Sequence, residues 1–154
     1  MSEIKSLASE FLAQDHFAVI GISRQGGDPG TLIRQKLKGA GKSIYMVNPR
    51  TDRIDGEHCY PSVAQIPIPV DVAIITTHPD ATPTVLRECR DAGISRAWVH
   101  RSFGGGSMSP DAVDYCKANN ISLIAGGCPM MYCEPVDFGH KCMRWVLSAV
   151  GKLP

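Results

Sequence analysis

Five short apolar runs without polar alternation punctuate the chain, at residues 17–22, 43–47, 71–76, 96–100 and 121–125. A strand buried on both faces has this pattern, which is the habit of parallel sheets. Between the runs, apolar residues take helical spacing. Residues 3–14 place Ile4, Leu7, Ala8, Phe11 and Leu12 on one face, and residues 31–38 do the same with Leu32, Ile33 and Leu37 before Gly39 and Gly41. Further helices are predicted over about 79–92, 109–119 and 136–150, the last carrying Cys142, Trp145, Val146 and Ala149. Residues 51–70 are rich in proline and polar side chains and are expected to cross the sheet edge without a full helix. Strands alternating with helices predict an α/β, Rossmann-like fold: a mostly parallel five-stranded sheet with helices on both faces.

Composition narrows the picture. The 154 residues correspond to one domain at about 100–200 residues each. Apolar residues make up 44% and charged residues 20%, which is ordinary for a globular protein and argues against disorder. Sixteen basic and fifteen acidic side chains nearly cancel, so neither nucleic acid nor a membrane is an expected partner. No apolar run approaches the roughly 20 residues of a membrane span. The first fifteen residues carry Glu3, Glu10 and Asp15 and lack the apolar stretch of a secretory signal. The six cysteines are therefore expected as reduced thiols, and the protein as cytoplasmic.

In such sheets ligands sit beyond the carboxyl ends of the strands. The first of these ends runs from Gly21 through Ser23, Arg24, Gln25 and Gly26 to Thr31, after a strand and before a helix. Backbone N–H groups at such a turn, backed by a helix N-terminus, cradle phosphate. The dinucleotide fingerprint G-x-G-x-x-G is broken, because Ser23 replaces its second glycine. A plain strand–helix turn is the alternative. The second end carries Asn48, Pro49 and Arg50 where nicotinamide-binding folds place a ribose-holding acid. Arginine there attracts a phosphorylated ribose, as in CoA or NADP, unless it is simply a solvated surface residue.

The matching pieces are residues 19–23, 47–49, 56–62, 71–75, 92–94 and the Cys128-Pro129 pair. Together, over about 17–130, they resemble the small CoA-binding proteins related to the N-terminal CoA-binding domain of the succinyl-CoA synthetase alpha chain. The resemblance implies a ligand, CoA or acyl-CoA, with its phosphates at Ser23, Arg24, Gln25 and Gly26. It implies Arg50 near the adenosine phosphate, and Thr76 and His78 bordering adenine and ribose. His100, Arg101 and Ser102 would follow the pantetheine arm. The loop at Gly104, Gly105 and Gly106 and everything after Met131 depart from the shared pattern.

The synthetase alpha chain is phosphorylated on a histidine of a different domain. His100 has no acidic partner in a recognisable motif and is read as a contact or structural residue. Cys128, Cys133, His140 and Cys142 form a cluster, but C-x4-C and H-x-C are not zinc spacings. His140 and Cys142 also point about 200° apart on a helix. Cys128, facing the ligand, would be placed for a mixed disulfide with the CoA thiol. Met130, Met131, Trp145 and Val146 are expected to pack on the core, with a homodimer contact as the second reading and an unidentified protein partner also open. The chain is thus expected to be a nucleotide-binding module, not an enzyme by itself. The rivals are an NADP-dependent oxidoreductase and a cysteine- or metal-dependent redox protein built on the tail.

Overall fold

Successive residues of β1 (His16–Ile20) send side chains to opposite faces of a sheet. Phe17 and Val19 enter one core layer, and Ala18 and Ile20 the other. The same sorting divides Val72 and Ile74 from Ala73 and Ile75 in β5 (Val72–Ile75), and Trp98 from Ala97 and Val99 in β6 (Arg96–Val99). All of these residues are buried, which is why the runs show no polar alternation.

The computed structural model describes residues 3–102 and 104–153. The first layer is covered by α1 (Glu3–Leu12), α2 (Pro29–Gly39) and α5 (Phe138–Ala149). The second is covered by α3 (Thr82–Asp91), α4 (Ala112–Ala118) and a single 3-10 turn at Val63–Gln65. With β2 (Ser43–Val47), β3 (Arg53–Ile54), β4 (Glu57–Tyr60) and β7 (Ser122–Ala125), the sheet order is β3-β4-β2-β1-β5-β6-β7.

Seven strands replace the expected five. The additional pair lies within residues 51–70, where the absence of a full helix had been anticipated. β3 and β4 form an antiparallel hairpin turning on Asp55 (φ 51°) and Gly56 (φ 77°), and β4 then adds to β2 in parallel. Asp-Gly is a strong hairpin signal, since both central residues need positive φ. Strands of two and four residues, in which only Ile54 and Cys59 are buried, leave no apolar run to announce them. The hairpin is held from α2: the buried Arg34 guanidinium donates to Asp55 Oδ2 at 2.9 Å and to Glu57 Oε1 at 2.7 Å. A hydrogen bond from Lys38, with the charge of Arg34, holds the Glu57 carboxyl below the usual carboxylate range.

Counting only parallel strands in chain order, the sheet runs third, second, first, fourth, fifth, sixth. That is the doubly wound order, and its reversal lies between β1 and β5. The connections after these two strands diverge to opposite sides, leaving a crevice above their carboxyl ends. This places the loop that begins at Gly21 next to the loop that begins at Thr76.

Candidate functional site

Two glycines fit the crevice because they carry no side chain. Gly21 has φ 90°, and a Cβ there would sit 2.7 Å from the Thr77 nitrogen. A Cβ on Gly30 would come within 2.9 Å of both Thr76 Oγ1 and Asp28 Oδ2. The loop after β1 therefore lies directly against the loop after β5. Thr76 completes the seam, donating through both its N–H and its hydroxyl to the Ile20 carbonyl, at 2.8 and 2.9 Å.

Asp28 organises the loop. It caps α2, with Oδ2 accepting from the backbone N–H of Ser23 at 3.2 Å and of Thr31 at 3.3 Å. Its Oδ1 accepts the Thr31 hydroxyl at 2.5 Å. Two of the N–H groups expected to face a phosphate are thus used within the protein. Ser23 Oγ accepts from the Gln25 N–H at 3.1 Å, which leaves its own hydrogen free to donate outward. Gly26 and Gly27 hold φ near 75°, with no neighbour where a Cβ would stand, so their backbone is open to solvent. Asp28 was not singled out in the sequence, although Asp-Pro-Gly before an apolar helical pattern is a capping signature.

Asn48 ties the second strand end to this loop. Its Nδ2 donates to the Ile22 carbonyl at 2.9 Å, while its Oδ1 accepts the Arg50 N–H at 2.8 Å. Pro49 and Arg50 form an exposed turn beside it. The Arg50 guanidinium has no ion-pair or hydrogen-bond partner among the described residues.

A second network joins the loops after β5 and β6. Thr77 Oγ1 lies 3.2 Å from Thr82 Oγ1, and the fully buried Thr82 hydroxyl donates to the Ser107 carbonyl at 2.6 Å. The Ser107 N–H donates to the His100 carbonyl at 2.8 Å, and His100 Nε2 lies 3.2 Å from Ser102 Oγ. Gly106 permits this return: with φ 58°, a Cβ would fall 2.4 Å from the His100 carbonyl oxygen. Thr82 and Ser107 carry no motif. Only the fold makes them part of the strand-end region.

The other candidates separate. His78 is exposed and sits 3.3 Å from Asp80. Arg101 donates its N–H to the Gly127 carbonyl at 3.0 Å and its Nε–H to the Gly104 carbonyl at 3.1 Å, so both groups brace the backbone. Phe103, within the loop after β6, lies outside the described residues. Cys128 is 4% exposed and packs in the first core layer, where burial pushes its thiol up to about 11. That environment speaks against the mixed disulfide with a CoA thiol, because the thiolate is the reactive species. Among the described residues no three His, Cys, Asp or Glu side chains gather as a metal site. His140 instead lies with Nδ1 2.6 Å from Asp137 Oδ2 at the start of α5.

Burial holds the His100 imidazole below its ordinary value. Such a base binds more protons unfolded than folded, so its contribution to stability is complete above the unfolded pKa of about 6.5 and is lost as pH falls through the folded one. The wild type is expected to lose stability below about pH 6.5 more steeply than His100→Gln. Denaturant melts across that range would show it; parallel curves would exclude the effect.

Comparison with known proteins gives a consistent picture. The family described as the CoA binding domain matches residues 15–134. The ADP-forming acetate–CoA ligase I of Archaeoglobus fulgidus is 32% identical over 117 residues, covering 72% of this chain and 17% of that protein. A dinucleotide-forming acetyl-coenzyme A synthetase 1 from Ca. Korarchaeum cryptofilum, solved with phosphate and ADP, superposes with a TM-score of 0.62 at 28% identity. That match covers 71% of this chain and 25% of the other. A hypothetical protein from Pyrococcus horikoshii OT3 shares the fold, with a TM-score of 0.78 at 22% identity over 86% of this chain and 91% of its own. The chain thus spans about a sixth of the curated ligase it matches. No helix among the described residues is long and apolar enough to cross a membrane.

Proposed function

The chain belongs to the CoA binding domain family, and from that premise we propose that it binds CoA or an acyl-CoA above the carboxyl ends of β1, β2 and β5. The observation that carries this reading is the seam at the sheet's reversal point, where Gly21 and Gly30 bring the first loop onto Thr76 and Thr77. The outward-facing backbone of Gly26 and Gly27 and the free hydroxyl hydrogen of Ser23 face the phosphates. Arg50, without a side-chain partner among the described residues, serves the ribose phosphate through charge-assisted hydrogen bonds. Asp28 holds the loop in shape and keeps the Ser23 and Thr31 N–H groups out of ligand contact. The His100–Ser102 pair borders the pantetheine side. The chain acts as a binding module, and a carboxylate activation step of the kind named for its ligase relatives would need parts supplied from elsewhere.

CoA is expected to bind more tightly than NADP or NAD. Ser23 crowds the backbone approach that a dinucleotide pyrophosphate uses, and no acid stands at residues 48–50 to hold free ribose hydroxyls. Calorimetric titration with each of the three compounds decides the matter. Equal or tighter binding of NADP would favour the oxidoreductase reading.

A further inference from the structure

We propose that the outward face of α5 joins two copies of this chain, with the two helices antiparallel about a twofold axis. At about 100° per residue, the inward side of α5 is centred on the buried Leu147, flanked by the half-buried Met143 and His140. The opposite arc holds Trp145, Phe138, Ala149, Cys142 and Val146, five adjacent wheel positions without a polar side chain. All five are exposed, Phe138 at 82% and Trp145 at 73%. A helix that is apolar on both sides belongs in contact on both sides. Core packing expected for Trp145 and Val146 is therefore not what the fold provides, whereas Met131 is fully buried.

The order of side chains selects the occupant. Residues 138, 142, 145 and 149 follow the alternating four-and-three spacing of a helix-pair seam. An antiparallel twofold partner aligns 138 with 149 and 142 with 145. Phe138 then meets Ala149 and Trp145 meets Cys142, so each large side chain faces a small one. A parallel pair would place Trp145 on Trp145 and Phe138 on Phe138. Lys141, the charge flanking the seam, falls beside Ser148 of the second copy and not beside its own counterpart. Two aromatics bury about 150–250 Å² each, so with Val146, Cys142 and Ala149 one copy offers roughly 400–500 Å². The pair would bury about 800–1,000 Å², the size of a weak, concentration-dependent contact. α5 lies beyond residues 15–134, so the contact belongs to this chain's tail and not to the matched family region. It is independent of the CoA reading.

Sedimentation velocity on the full chain from about 1 to 100 µM spans the affinity range of such a contact. The mass is expected to rise from one chain to two. A Phe138→Ser, Trp145→Ser double variant is expected to raise the dissociation constant about tenfold or more, with an unchanged melting temperature in dilute solution. Cys142 is the exposed one of six free cysteines, so maleimide labelling of the native wild type reports on the same face. Its rate should fall as the dimer forms, and this readout decides alone if the double variant fails to fold. A single-chain mass at every concentration would overturn the proposal, as would a dimer indifferent to the double variant. Binding of a monomer to anionic phospholipid vesicles would assign the face to a lipid surface instead.

Discussion

Arg50→Glu is expected to weaken CoA binding by about 10- to 150-fold and to weaken 3′-dephospho-CoA binding much less. A hydrogen bond to a charged group contributes about 1.5–3 kcal/mol, which converts to that range of affinity. The Arg50 side chain is exposed, and its backbone N–H is fixed by Asn48 Oδ1, so the substitution changes charge without removing an internal contact. Deleting the ribose phosphate from the ligand removes the group that Arg50 is proposed to meet. The two ligands therefore control for misfolding, which would weaken both alike. Titration calorimetry of the variant with each ligand gives the comparison. An equal loss would move Arg50 to the pyrophosphate, and no loss would make it a solvated arginine.

Trp98→Ala is expected to cost about 3–5 kcal/mol of stability, the range for truncating a fully buried aromatic. Trp98 is the largest fully buried side chain. Its ring meets Phe11 of α1 edge-on at 6.3 Å between centroids and Tyr132 at 5.9 Å. Its indole N–H donates to the Gly126 carbonyl at 2.9 Å. Removing the ring leaves a cavity between α1 and the sheet and strands that carbonyl. Trp98→Phe separates the two effects in large part, because it keeps a six-membered ring for packing while it forfeits the hydrogen bond, at about 1–3 kcal/mol, and a smaller part of the indole volume. For a chain of this length the alanine variant should melt roughly 6–20 °C lower. Thermal melts of the two variants test the assignment. An alanine variant no worse than the phenylalanine one would mean that the ring packing contributes little.

Period and punctuation were enough to place β1, β2, β5, β6 and β7 and the five helices within a few residues. The reason is that β1, β5 and β6 are buried on both faces and β2 and β7 are partly so, and burial writes itself into sequence as continuous apolar runs. The strand-end loops at Gly21, Asn48 and Thr76 followed from the same pattern, since turn residues end the runs. The β3–β4 hairpin left only its Asp55-Gly56 turn, because strands of two and four residues that bury only Ile54 and Cys59 form no apolar run. What each strand-end residue does was decided by tertiary structure alone. Thr82 reaches Ser107, Asn48 reaches the Ile22 carbonyl, and Cys128 is withdrawn into the core, all through contacts that depend on which strands are neighbours. The same holds for α5. Its sequence is apolar around most of the wheel, and only the burial of Leu147 in the first core layer determined that Phe138 and Trp145 would face outward. Local pattern reports how a residue is solvated along its own element; partners brought together across a sheet reversal are set by topology, which no single segment encodes.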